Sequence, residues 1–333
     1  MKSKTKTALP REAGAVLDAL RAASRLLITS HVNPDGDAVG SVLALAALAR
    51  SLGVPSVVCC LQDPVPRVYE WLAESGYIEP PGRLHGPFDT VLIADANSVS
   101  RTGSAASLVS QESRILVVDH HIVEKPECQA GFIDPSYAAT GEMVADLFEA
   151  AGVPLTREVA ECIYVAISTD TGSFRYANTT ARSHRIAAHL IETGINIRDI
   201  TSKVIDLMSV GKFQLLRILL DRAELSKDGS IAHAAILEKD LRDAGALSED
   251  VDGLINYLRN LEGVQLAILF REAGDASTKV SFRSQPEINS SEIARHFGGG
   301  GHAMAAGATL PWSVDEAKSM LFHYLRQTLR MQP

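Results

Sequence analysis

Histidine and aspartate gather at four separate places in this 333-residue sequence. "ITSHVNPDGDAVGS" carries His31, Asp35 and Asp37 within seven positions. "VLIADANS" supplies Asp95, "RILVVDHH" supplies Asp119, His120 and His121, and "AISTDTGSFRY" supplies Asp170. Any one of these alone is an ordinary turn acid, helix cap or buried histidine. Four or five carboxylates drawn together with two or three imidazoles are another matter, because like charges at close range repel strongly in a low-dielectric cleft. Divalent cations relieve that repulsion. The donors outnumber what one tetrahedral zinc accepts. Mixed carboxylate and imidazole ligation suits Mn²⁺ better than Mg²⁺, which prefers oxygen. Two metals about 3.5–4 Å apart would activate a water and clamp the oxygens of an in-line displacement at phosphorus.

The element that must position these residues is a sheet. "RLLITS", "PSVVCCL", "TVLIAD" and "RILVVDHH" read as strands, and their apolar runs without polar alternation imply burial on both faces. Helical stretches alternate with them: "AVGSVLALAALARSL", closed by Gly53, and then "VPRVYEWLAES". "TGEMVADLFEAAG", "TREVAECIYVAIST" and "TTARSHRIAAHLIETG" follow. The alternation predicts an α/β fold with an open parallel sheet over residues 12–195. Such sheets bind ligands at the carboxyl ends of their strands, where three of these strands run into His31, Asp95 and Asp119–His121. A helical linker is expected over 196–219, with a break at Gly211. A smaller mixed α/β domain should occupy 220–330, with strands at "SIAHAAIL", "VQLAILFRE" and "TKVSFRS".

Composition narrows the partners. The chain is 46% hydrophobic and 22% charged, as in a globular protein, with a net charge of -8. A coat for long nucleic acid would carry a broad basic surface, so an anionic substrate here must be small or gripped locally. Cys59, Cys60, Cys128 and Cys162 form no C-x-x-C pair and suit neither a disulfide framework nor a zinc ribbon. They read as apolar fillers in a reducing compartment. The polar start "MKSKTKTALPREAG" lacks the apolar core of a signal peptide. The most apolar run is broken by Gly40, Ser41 and Arg50 and is too short to span a bilayer. A cytoplasmic protein without membrane contact is expected.

The second half has its own signal, "HFGGGGHAMAAG". Gly298, Gly299, Gly300 and Gly301 strip side chains from a stretch of backbone, which can then present N–H groups to an anion and admit a ligand closely. His302 can donate to phosphate or stack on a base. Arg283 ends "TKVSFRS", and its planar fork suits bidentate phosphate binding. No Walker A motif and no G-x-G-x-x-G occurs.

"HVNPDGDAVGS", "ADANSVSRTG", "VVDHH" and "TDTGSFRY" resemble, in order, the four motifs of the DHH phosphoesterase superfamily. "FRS…INSSEIARHFGGGGHAMAAG" resembles the DHH-associated C-terminal domain. The resemblance implies that His31, Asp35 and Asp95 hold one metal ion. Asp37, Asp95, His120 and Asp170 would hold another, with Asp95 bridging. It implies two Mn²⁺ ions, with Mg²⁺ or Co²⁺ as substitutes. His121 would face the substrate phosphate, oriented by Asp119. Arg283, His302 and the glycine run would bind a terminal nucleotide or phosphate. The short two-domain layout resembles the bacterial nanoRNases, which degrade short RNA oligonucleotides and dephosphorylate adenosine 3′,5′-bisphosphate. Mono- and dinucleotides rather than long nucleic acid are then the expected partners, and a homodimer is compatible. Related activities are a phosphodiesterase for cyclic or linear di-AMP and, outside catalysis, a nucleotide sensor.

Overall fold

The computed structural model describes residues 11–122, 127–274 and 276–328. The polar stretch before Arg11 and the chain beyond Thr328 lie outside them. The chain divides into two compact units, the first running to Leu207 and the second starting at Met208.

The first unit is built on six strands: β1 (Arg25–Thr29), β2 (Ser56–Cys60), β3 (Ile78–Glu79), β4 (Thr90–Ala94), β5 (Arg114–Asp119) and β6 (Ala130–Ile133). All pair in parallel, in the order β3-β2-β1-β4-β5-β6. Every residue of β4 is buried, as its unbroken apolar run requires. The chain builds outward from β1 in one direction, then returns to place β4 on its other side. The crevice between the ends of β1 and β4 is therefore the topological switch point, where ligands bind in such sheets. Two strands go beyond the sequence expectation, because two-residue β3 and glycine-containing β6 are too short for a periodicity to show. "VPRVYEWLAES" is not an α-helix. It forms 3-10 turns at Arg67–Tyr69 and Ser75–Tyr77. Pro66 starts the first, and left-handed Glu74 (φ 66°) interrupts the path to the second.

Six helices accompany this sheet: α1 (Arg11–Ala22), α2 (Gly36–Ser51), α3 (Thr140–Ala151), α4 (Arg157–Asp170), α5 (Ala181–Glu192) and α6 (Ile197–Thr201). The tightest packing is that of α2 on α4, and glycine makes it possible. A Cβ at Gly40 would stand 2.4 Å from the Cys162 carbonyl, and one at Gly36 2.5 Å from the Thr169 side chain. From α3, Gly141 closes on the same helix, its imagined Cβ 2.5 Å from Ala166. These approaches bring the starts of α2 and α3 to the end of α4.

Beyond α6 a π-helical turn, Ser202–Asp206, leads to an extended Leu207. Ser209 then caps α7 (Val210–Asp221) by accepting from the Lys212 N–H. The break thus precedes Gly211, which lies inside α7, where its Cβ would meet the Ala246 Cα at 2.7 Å. Leu215 and Leu219 of α7 belong to the core of the second unit.

That unit holds β7 (Glu224–Leu225), β8 (Ile231–Ile236), β9 (Leu266–Glu272), β10 (Thr278–Ser284), β11 (Gly300–His302) and β12 (Ala305–Leu310). Their order is β11-β12-β10-β9-β8-β7, with β8 and β9 parallel and the other neighbours antiparallel. Between them run α8 (Glu238–Ala244), α9 (Ile255–Arg259) and α10 (Ser290–His296), and α11 (Val314–Thr328) follows. One sheet face carries Ile268, Phe270 and Phe282 with Leu321 of α11. The opposite face of β8 and β9 carries Ala232, Ala267 and Leu269 with residues of α7 and α9. No helix among the described residues is long and apolar enough to cross a membrane.

Candidate functional site

The ends of β1, β4 and β5 and the ends of three helices converge on one cluster. His31 follows β1, and its Nδ1 pairs with the Val32 carbonyl at 2.8 Å. Its Nε2 lies 3.3 Å from Asp95 Oδ2. Asp95 follows β4 with a left-handed backbone (φ 55°), a conformation costly for a non-glycine residue and held by its surroundings. Its N–H donates to the Val118 carbonyl at 2.9 Å, tying it to β5. The other carboxylate oxygen, Oδ1, accepts from the Thr140 hydroxyl at 3.0 Å and stands 3.5 Å from His120 Nε2.

Asp35 caps α2 by accepting from the Ala38 N–H at 3.0 Å. Asp37, two residues further on and wholly buried, accepts from Ser41 Oγ at 3.0 Å and from the Thr140 and Gly141 N–H groups at 2.6 and 2.9 Å. It thereby caps α3, whose own N-cap is Ala139 and gives no side-chain bond. Asp170 ends α4, where the helix dipole disfavours an acid. It meets His120 Nε2 at 3.1 Å. His120 Nδ1 is 3.3 Å from the Tyr137 carbonyl, which fixes the ring. His121 Nδ1 lies 2.6 Å from Asp119 Oδ1, while buried Asp119 Oδ2 has no hydrogen-bond partner among the described residues.

The structure thus brings His31, Asp35, Asp37, Asp95, Asp119, His120, His121 and Asp170 to one edge of one sheet. Three sets have donor atoms within 4.8 Å of one another: His31, Asp35 and Asp95; Asp37, His120 and Asp170; and Asp95, His120 and His121. Electrostatics follow the crowding. Burial works against a charged His120, but its bond to Asp170 and the charges of Asp37, Asp170 and Asp95 lift its pKa to about 10. Burial likewise opposes charge on His31, and Asp95 and Asp35 overcome it, raising the pKa to about 9. Asp95, despite burial, is held below the usual carboxylate range by His31, His121 and His120. Protons on the imidazoles balance the aspartates. Divalent metal ions suit this set of aspartate oxygens and imidazole nitrogens, and would displace those protons on binding.

Sequence reading missed Thr140, Gly141, Tyr137 and Ser41, all of which bond to these side chains. The available signal was negative: "AATGEMV" begins a helix with no local cap. The cysteines take no part. Burial pushes the thiols of Cys59, Cys60 and Cys162 up to about 12.

The second unit holds Arg283, the glycines and His302. Arg283 is paired in register with Ala305, and Ala305 with His302, so the three share one face of the sheet. Arg283 Nη1 donates to the Phe282 carbonyl at 2.9 Å. The glycine run is not one irregular loop. Gly298 (φ 76°) closes α10, its N–H donating to the Arg295 carbonyl while that of Gly299 reaches Ala294, a Schellman cap. Gly300–His302 is then an edge strand. A Cβ at Gly299 or Gly301 would strike β12, 2.1 Å from the Gly307 oxygen and 2.5 Å from the Ala305 oxygen respectively. Only at Gly300, of the four, do neither space nor a left-handed backbone demand glycine.

Comparison with known proteins follows the same division. Residues 25–167 match the DHH family N-terminal domain, and residues 228–328 match the DHHA1 domain. The chain is 34% identical over 306 residues to the bifunctional oligoribonuclease and PAP phosphatase NrnA of Thermus thermophilus, spanning 91% of this chain and 90% of that protein. It is 26% identical to the protein of the same name in Bacillus subtilis, over 89% of this chain and 92% of that one. Among solved structures, an exopolyphosphatase-related protein from Bacteroides fragilis superposes with a TM-score of 0.89 at 25% identity, covering 98% of this chain and 100% of that one. With the histidine–aspartate cluster at the switch point and a DHHA1 domain following in sequence, this chain belongs to the DHH family.

Proposed function

We propose that the chain is a two-metal phosphoesterase that hydrolyses short RNA oligonucleotides to nucleoside 5′-monophosphates and adenosine 3′,5′-bisphosphate to AMP and phosphate. One observation carries the reading. Asp95 faces both halves of the cluster at once, Oδ2 toward His31 and Oδ1 toward His120. A carboxylate so placed suits a bridging ligand. His31, Asp35 and Asp95 would hold one ion, and Asp37, Asp95, His120 and Asp170 the other. The mixed donors favour Mn²⁺, with Mg²⁺ or Co²⁺ as substitutes. Bound there, the ions supply a water that is nucleophilic at neutral pH and positive charge for the phosphoryl oxygens.

The remaining work falls to the chain. Asp119 Oδ1 accepts a 2.6 Å hydrogen bond from His121 Nδ1–H, which sets the tautomer and makes Nε2 the atom that exchanges a proton with the leaving oxygen. Thr140 and Tyr137 hold Asp95 and His120 in orientation. In the second unit Arg283 and His302 flank the small Ala305, a spacing that lets a phosphate or sugar settle between two donors. The names of the Thermus thermophilus and Bacillus subtilis relatives support the two substrates.

Time courses test this directly, with Mn²⁺, Mg²⁺ or Co²⁺, on RNA of two to ten nucleotides, adenosine 3′,5′-bisphosphate, cyclic and linear di-AMP, and pyrophosphate. Short RNA and the bisphosphate should turn over fastest, with Mn²⁺. Exclusive cleavage of di-AMP would move the substrate class. Binding without turnover of any substrate would leave a sensor.

A further inference from the structure

Strand β2 ends at the same edge as β1 and β4, and the first polar residues after it are Gln62 and Asp63. Each holds a loop. Asp63 Oδ2 accepts from the Asn33 N–H at 2.7 Å. Gln62 Oε1 accepts from the Ser104 N–H at 2.7 Å, within a 3-10 segment (Val99–Leu108) that follows β4. The two loops are tied to each other where the Val32 N–H donates to the Arg101 carbonyl at 3.0 Å. Gly103 (φ 59°) marks how closely they meet, since a Cβ there would lie 2.0 Å from Gln62 Oε1 and 2.6 Å from Val32 Cγ1. Asn33 sits midway between His31 and Asp35, and its backbone is left-handed (φ 54°). Asparagine tolerates that region better than most residues, but Asn33 precedes Pro34, and a residue before proline is steered to extended backbone. The conformation needs a hold from outside the loop, and the Asp63 carboxylate gives a charge-assisted one.

The other half of the cluster is held from elsewhere. Asp37 accepts from the Thr140 and Gly141 N–H groups, and His120 leans on the Tyr137 carbonyl. Asn178 Nδ2 donates to the Ala138 carbonyl at 3.0 Å and to the Asp170 carbonyl at 3.1 Å, joining that turn to the end of α4. From Gly36 onward α2 is seated on α4, so a shift of residues 31–35 is stopped before it reaches Asp37.

We infer that Asp63 is a positioning residue for one ion of the pair: through the Asn33 N–H it fixes the loop that aims His31 and Asp35, and it leaves Asp37, His120 and Asp170 untouched. The inference rests on the two-metal reading above and adds an asymmetry to it. The two ions are supported by separate parts of the chain, so they can be weakened one at a time. Asp63 is no ligand itself. Its Oδ2 is spent on Asn33, its Oδ1 lies 3.4 Å from Gln62 Nε2, and the three donor sets found among the described residues do not include it. What it removes is freedom. Without it, His31 and Asp35 must be ordered when the ion binds, and that cost falls on affinity.

The test uses the full chain with Asp63→Ala, which removes the acceptor, and Asp63→Asn, whose amide oxygen still accepts from the Asn33 N–H. Asp63 is a half-buried loop residue followed by exposed Pro64, so its truncation leaves the core intact. Mn²⁺ binding to the metal-free protein is followed by calorimetry, hydrolysis of a two-nucleotide RNA across a Mn²⁺ series, and melting without metal. The parent should bind two ions. With alanine, one ion should bind about tenfold more weakly and the other within about twofold of the parent, while asparagine should return the weakened ion to within about threefold. Turnover of Asp63→Ala should need about tenfold more Mn²⁺ and approach the parent's kcat at saturation. Both ions weakened alike, neither weakened, or asparagine as poor as alanine would overturn the role of Asp63. A lower melting temperature with unchanged metal binding would make it a loop staple and overturn the role as well. A parent that binds fewer than two ions would overturn the two-metal reading itself.

Discussion

The two units solve opposite problems. The first must hold reacting atoms still, and does so by burial: Asp37 and Asp95 are almost wholly enclosed, and each makes several bonds to groups from other elements. The second carries its candidate binding residues, Arg283 and His302, on one face of a sheet, either side of the small Ala305. In the first, glycines draw elements together, so that Gly36, Gly40 and Gly141 seat α2 and α3 on α4 and deliver their acids to one point. In the second, Gly300 leaves room instead, with nothing within 4 Å of the missing Cβ. The same residue type serves rigidity in one place and access in the other. What decides is whether a neighbour lies within reach of the missing Cβ.

If that contrast is right, damage in the first unit should fall on turnover and metal, and damage in the second on KM. The largest effect belongs to Asp95→Ala, which removes the carboxylate that faces both His31 and His120. We expect kcat to drop about a thousandfold or more, with metal stoichiometry reduced in calorimetry while the far-ultraviolet spectrum is unchanged. Near-normal turnover would remove the shared-ligand scheme. A smaller change is expected at Thr140. Thr140→Val deletes the hydroxyl that donates to Asp95 but keeps the N–H that donates to Asp37. Metal affinity and kcat should each fall roughly tenfold with KM unaltered, and Thr140→Ser should restore both. A serine variant as weak as valine would mean that Thr140 acts through packing alone.

The contrast also explains what was legible in the sequence. His31, Asp95 and Asp119–His121 stood out because buried parallel strands leave unbroken apolar runs, and the first polar residue after each marks the edge where ligands sit. Asp35, Asp37 and Asp170 came with helix starts and ends on the same edge. Thr140 stayed hidden because its bonds go to acids 45 and 103 residues away, and a helix lacking a cap gives only a silence to read. The second sheet was half visible. β8 and β9 are largely aliphatic and β10 alternates apolar with polar residues, whereas β11 and β12, "GGH" and "AAGATL", use residues that resist strand formation and are held by pairing partners instead. Such a stretch reads as a loop in the sequence. Similarly, "VPRVYEWLAES" has helical composition, and Pro66 and the left-handed Glu74 decided otherwise.

The finest test of the contrast lies within the glycine run, where two adjacent residues should answer differently. Gly299→Ala sets a methyl 2.1 Å from the Gly307 oxygen, a backbone atom that cannot swing away. β11 is an edge strand, so the cheapest relief is for it to part from β12. Amide exchange across Gly300–His302 and Ala305–Leu310 should quicken, and melting should fall by the few degrees that about 1–2 kcal/mol produces in a domain this size. Gly300→Ala meets nothing within 4 Å and needs no left-handed backbone, so exchange and melting should match the parent. Its methyl would nonetheless stand on the row shared with Gly307 and Ser281. KM for a five-nucleotide RNA should therefore rise about threefold, the penalty of one misplaced methyl against a seated ligand, with kcat unchanged. If Gly300→Ala leaves KM where it was, the row is bare for folding reasons alone, and the second unit's face would have to begin at Ala305.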